Sequence, residues 1–71
     1  MNQISELRTQ RGLSRPQLAK AAGIDRHALS RWERGIRMPS ITSAIMLAHA
    51  LGVSVEDLGL FEYETASAAS A

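Results

Sequence analysis

Five residues, Ala19, Gly23, Ile24, Leu29 and Trp32, restrict this chain more than any other feature. Two helices that meet at a steep angle need three things. A small residue must sit where their backbones approach, a turn residue must tolerate positive φ, and apolar side chains must fill the angle. Ala19 supplies the first and Gly23 the second. Leu18, Ile24, Leu29 and Trp32 supply the third. An ordinary helical hairpin in a core meets the same demands, so the pattern alone leaves two readings open.

The flanking sequence predicts five short helices with tight connections. Ile4, Leu7 and Arg11 mark one face of a first helix, with Gly12 as its stop. Ser14 and Gln17 have the spacing of a capping box for the second, and Pro16 sits in its first turn. Asp25 is the next N-cap, and the third helix runs from Arg26 to about Arg34, with Gly35 as its stop. Ser40 caps a fourth helix with an inner face of Ile41, Ala44, Leu47, Ala48 and Leu51. Ser54 and Asp57 form a last cap pair, for a fifth helix that buries Val55, Leu58 and Phe61. Strands are not expected, because β-branched runs are absent. The reading is all-α, one compact domain over 1–61 and a disordered tail over 62–71.

Net charge is only +1, but its distribution is uneven. All eight basic residues lie between Arg8 and Arg37, with Asp25 and Glu33 as the only acids among them, so that segment carries +6. Seven of the eight are Arg, whose fork suits phosphate and base edges. A solvated basic surface is the plainer alternative. There is no Cys, no glycine-rich phosphate loop and no credible Ser-His-Asp set. The two His residues fall on separate helices and make no metal-ligand pattern. No catalysis, metal or cofactor is expected. No apolar stretch approaches a membrane span, and the chain reads as cytoplasmic.

The stretch from Arg11-Gly-Leu-Ser-Arg-Pro-Gln-Leu-Ala-Lys-Ala-Ala-Gly-Ile24 to Leu29-Ser-Arg-Trp-Glu-Arg-Gly-Ile-Arg-Met-Pro39 resembles the lambda-repressor-like, or Xre-type, helix-turn-helix family. The likeness continues through Ser40 and Leu47-Ala-His-Ala-Leu-Gly-Val-Ser54 to Leu58. It spans roughly residues 4 to 60. Ala44, where a larger apolar residue is more usual, and Pro16 depart from the pattern. The resemblance implies five helices, with the second and third as the DNA-reading unit. It places the third helix in the major groove and a dimer on two half-sites about 34–36 Å apart.

On this basis Arg26 and His27 open the reading helix, and Arg26 is the first choice for a guanine edge. Ser30 and Arg31 lie one turn on, and by resemblance Arg31 falls at a base-contacting position. Ala28 completes that face and could meet a thymine methyl. Arg15 and Gln17 open the second helix, an end that meets phosphate in this family; Gln17 is equally a capping-box residue. Arg34 and Arg37 flank Gly35 and are assigned to phosphate, while Lys20 could be simply solvated. The resemblance also implies a partly buried ion pair between Arg8 and Glu33. The spacing of Trp32 from Leu29 assigns it to the core.

The function read from the sequence is a bacterial or phage transcription regulator that binds double-stranded DNA specifically. Repression is favoured because it needs only occupancy of a promoter. A homodimer would use the fifth helix, with Leu58, Leu60 and Phe61 as contacts, since Leu60 and Phe61 exceed what a small core needs. The alternative is an antitoxin or adaptor that acts mainly through a protein partner.

Overall fold

The structure, a computed structural model, describes residues 2–60. Four α-helices follow one another: α1 (Ile4–Gln10), α2 (Arg15–Ala22), α3 (Arg26–Glu33) and α4 (Ile41–Leu51). A single 3-10 turn, Glu56–Leu58, comes after them. There is no strand among the described residues.

Local chemistry sets the helix starts. Ser14, Asp25 and Ser40 each stand in extended conformation before a helix. Each accepts a hydrogen bond from the backbone N–H three residues on, which satisfies a donor that has no helical partner. Gln17 returns the favour at α2, its Oε1 accepting from the Ser14 N–H at 2.8 Å.

The helix ends are equally local. Gly23 is left-handed, at φ 71° and ψ 35°, a conformation that costs a residue with a Cβ. It turns the chain so that the Ile24 N–H reaches Ala19 O at 2.9 Å and its own N–H reaches Lys20 O at 3.3 Å. The same pair of bonds closes α1 at Gly12-Leu13, α3 at Gly35-Ile36 and α4 at Gly52-Val53.

One core joins the four helices. Ile4, Leu18, Leu29, Leu47 and Leu58 are wholly buried and supply its bulk. Ala19, Ala22, Ala44 and Ala48 are buried with them, on α2 and α4, which pack together. The N-terminal segment is tied across this core. Asn2 Nδ2 donates to Trp32 O at 2.6 Å, and the Gln3 N–H donates to Leu58 O at 2.8 Å.

Three sequence expectations change. The fifth helix is a 3-10 turn. Its cap pair forms, with Ser54 and Asp57 exchanging backbone-to-side-chain bonds, but left-handed Gly59 closes it at once. Four residues between Ser54 and Gly59 are too few to continue an α-helix. Leu58 is buried and Val55 half-buried; Phe61 and the tail over 62–71 lie outside the described residues. Ile41 is 56% exposed rather than on the inner face. It is the first residue of α4, and helical side chains lean toward the N-terminus, so its own lies beyond the packed turns. Arg11 lies past the end of α1, and its Nε donates to Leu51 O at 2.6 Å, capping α4.

Two stability predictions follow from this packing. Leu47→Ala should cost about 2–5 kcal/mol and Ile41→Ala at most about 0.5 kcal/mol, measured by urea denaturation. Equal losses would contradict the burial assigned to α4. The second concerns Asp25, whose hydrogen bond from the Ala28 N–H holds its carboxyl below the ordinary value of 3.8. A depressed folded pKa contributes stability above the unfolded value, and the contribution disappears as pH falls through the folded one. Asp25→Ala should therefore lower the melting temperature at neutral pH, and the gap to wild type should close well below 3.8. A gap independent of pH would show that the charge of Asp25 plays no part in the cap.

Candidate nucleic-acid interface

Helix α3 has two unlike sides. Leu29 and Trp32 are buried, and the Glu33 side chain is 1% exposed. The remaining arc, about 140° at 100° per residue, carries Arg26, Ser30, His27 and Arg31 in angular order. Arg26, His27 and Arg31 are exposed and Ser30 is half-buried. The four expected reading residues thus share one face of one short helix, with Arg26 and Arg31 at its two edges. Ala28 does not complete this face. It is half-buried and packs against the core.

The turn at Gly23 joins α3 to α2, and α4 packs against α2 as well. A Cβ built at Gly23 would lie 3.5 Å from Met46 Cε, so α4 reaches this turn as well. Arg15 and Gln17 are exposed at the start of α2. Past α3, Arg34 and Arg37 are exposed, and an open cleft is lined by Arg31, Trp32, Arg37 and Met38. Trp32 itself is only 9% exposed, which leaves little ring surface for stacking on a base.

The basic segment divides by use. Arg8 Nε donates to Glu33 Oε2 at 2.8 Å and its Nη2 to Oε1 at 3.2 Å. Its Nη1 donates to Leu13 O at 2.8 Å, so all three guanidinium nitrogens are engaged within the protein. Arg11 serves α4, as described above. The two ion pairs of the described residues, Arg8–Glu33 and Arg15–Glu33, leave Lys20, Arg26, Arg31, Arg34 and Arg37 unpaired among those residues. Exposed cations of this kind are available to an external polyanion.

The second ion pair was not foreseen. Arg15 Nε donates to Glu33 Oε1 at 3.0 Å, across 18 positions of sequence. No local spacing signals it. The Arg11 bond to Leu51 O spans 40 positions and is equally silent in the sequence.

His27 and His49 stand on different helices, and no group of three or more metal-ligating side chains occurs among the described residues. No helix among them is long and apolar enough to cross a membrane.

Comparison with known proteins agrees with this geometry. The helix-turn-helix family model matches residues 4–58, from the start of α1 through the 3-10 turn. An uncharacterized HTH-type transcriptional regulator of Bacillus subtilis strain 168, YgzD, is 30% identical over 63 residues, covering 89% of this chain and 96% of that protein. One from Archaeoglobus fulgidus is 33% identical over 61 residues, covering 86% of this chain and 87% of its own length. A third, y4dJ of Sinorhizobium fredii, is 36% identical over 55 residues, covering 78% and 71%. No solved structure matches significantly. With the match running from α1 through the 3-10 turn, the chain belongs to the lambda-repressor-like, or Xre-type, helix-turn-helix family of DNA-binding transcriptional regulators.

Proposed function

We propose that the chain is a sequence-specific repressor that reads an inverted-repeat operator as a homodimer in the cytoplasm, with α3 in the major groove. The observation that carries this reading is the exposed arc of α3. Arg26, His27, Ser30 and Arg31 face outward while Leu29 and Trp32 pin the opposite side to the core. A rigidly backed helix presents its side chains at low entropic cost. Arg26 takes a guanine through its O6 and N7 acceptors, and His27, Ser30 and Arg31 contact neighbouring base edges. Arg15, Gln17, Arg34 and Arg37 hold the backbone phosphates and set the register. No catalytic step is assigned to any of these groups.

The dimer contact proposed from sequence narrows. Leu58 has no exposed surface in the single chain and serves its core. Leu60 is half-buried and remains available, and Phe61 lies outside the described residues. A second reading keeps its place because of one observation. The exposed large apolar side chains Ile36, Met38, Ile41, Ile45 and Met46 all fall within one short segment. Such a segment suits an antitoxin or adaptor that acts through a protein partner.

Selection from a pool of random duplexes tests the main reading. Recovery of a short inverted repeat is the expected result. Arg26→Ala should then lose about 1–3 kcal/mol of preference at the guanine it reads and leave other positions unchanged. Weak, equal binding to all sequences would sink the repressor reading and favour the partner-binding one. Sedimentation of Leu60→Glu tests the dimer contact, with a shift toward monomer expected. A variant that dimerises as well as wild type would remove Leu60 from the interface.

A further inference from the structure

The Glu33 carboxylate is 1% exposed and accepts from two guanidinium groups at once. They are used differently. Arg8, 14% exposed at its side chain, donates through all three nitrogens to protein acceptors. Arg15, 46% exposed, donates only through Nε, at 3.0 Å. Its Nη1 and Nη2 have no partner among the described residues. The charge of Arg8 balances that of Glu33, so the cluster carries one net positive charge. Arg8 uses each of its three nitrogens, whereas both terminal nitrogens of the more exposed Arg15 are wholly unused.

We infer that Glu33 is a positioning residue for DNA-backbone contact: it holds Arg15 by Nε and leaves both terminal amines ready for one phosphate. This rests on the DNA-binding reading above and adds a residue that itself touches no DNA. A free surface Arg must give up its rotamers to bind. Holding one in place beforehand is worth about two- to tenfold in affinity per side chain. The arrangement also makes Arg15 hard to replace. Of the first four backbone N–H positions of α2, only that of Arg15 itself is left to offer a phosphate. Pro16 has no N–H, the Gln17 N–H is taken by Ser14 Oγ at 3.2 Å, and the Leu18 N–H is taken by Ser14 O at 2.9 Å. The unengaged amines of Arg15, the Ser14 hydroxyl proton and the amide nitrogen of Gln17, whose Oε1 is committed to Ser14, are the side-chain donors left at this end, and only those of Arg15 carry charge.

The test is a salt titration of binding to a short duplex of mixed sequence, between about 50 and 200 mM salt. Arg15→Ala should flatten the log–log slope by about 0.9 per protomer, the signature of one lost phosphate contact. Arg15→Lys keeps the charge but has one ammonium in place of a fork, so it cannot hold Glu33 and a phosphate in the same way. It should keep the slope and lose about two- to tenfold in affinity. Glu33→Gln should weaken binding by a similar factor in the wild-type background and have no effect in the Arg15→Ala background. A Glu33 that only stabilises the fold would weaken both equally, and that result would overturn the inference. So would an Arg15→Ala slope equal to wild type, or an Arg15→Lys protein that binds as wild type does. If Glu33→Gln fails to fold, the two Arg15 variants decide, because the Arg8–Glu33 pair stays in place in both. A wild-type chain that binds no duplex would overturn the functional reading and this inference together. A wild type that binds, with silent Arg15 variants, would overturn this inference alone.

Discussion

Helix α2 has to pack against both α3 and α4 through one narrow face, and small side chains make this possible. Ala19 and Ala22 on α2, and Ala44 and Ala48 on α4, are all buried. Alanine lets backbones approach closely, and the bulk that fills the remaining space comes from Leu18, Leu29 and Leu47. With no Cys among its residues, the chain has no covalent staple to share the task. The direction of α3 depends on this arrangement, because the turn at Gly23 can aim a helix only if the helix before it is fixed. Larger residues at those alanines would push α4 away from α2 and turn the outward arc of α3 with it.

What was legible in the sequence follows the range of the interactions. Ser14, Asp25 and Ser40 cap helices because each bonds a backbone group three residues away, and a reader of the sequence sees both partners together. The glycine stops are visible for the same reason. The inner face of the fourth helix is legible at Ala44, Leu47, Ala48 and Leu51, which all lie within packed turns. Ile41 shares their period but sits at the helix start, and periodicity carries no information about where the neighbouring elements end. The last segment has a cap pair at the right spacing and a glycine that arrives too soon. Its hydrogen bonding is tighter than the apolar pattern suggested.

The site shows the same division. The outward arc of α3 is a property of one helix and could be read from the spacing of Leu29 and Trp32. The family emerges from the run around Trp32 and Gly35 together with the Gly23 turn, and the family match covers the same elements. The fates of Arg11 and Arg15 could not be read this way. Both are basic residues in a basic segment, and both find acceptors far off in sequence, a helix-end carbonyl in one case and a buried carboxylate in the other. Charge counting treats all eight cations alike. The fold sorts them into those tied inward and those left for a ligand.

The recurring closure of the helices bears on how the chain reaches its native state. All four helices end in a left-handed glycine with bonds that reach back three and five residues. Their starts are set by bonds that reach three residues forward at α2, α3 and α4. Most of the information that marks an element is therefore contained within that element and its next neighbour. Little chain has to be searched before a helix knows its limits, and low contact order of this kind goes with folding in microseconds to milliseconds. Such wiring is expected to let a newly made or transiently opened molecule regain its shape quickly, so that its basic residues return soon to the one arrangement the fold gives them.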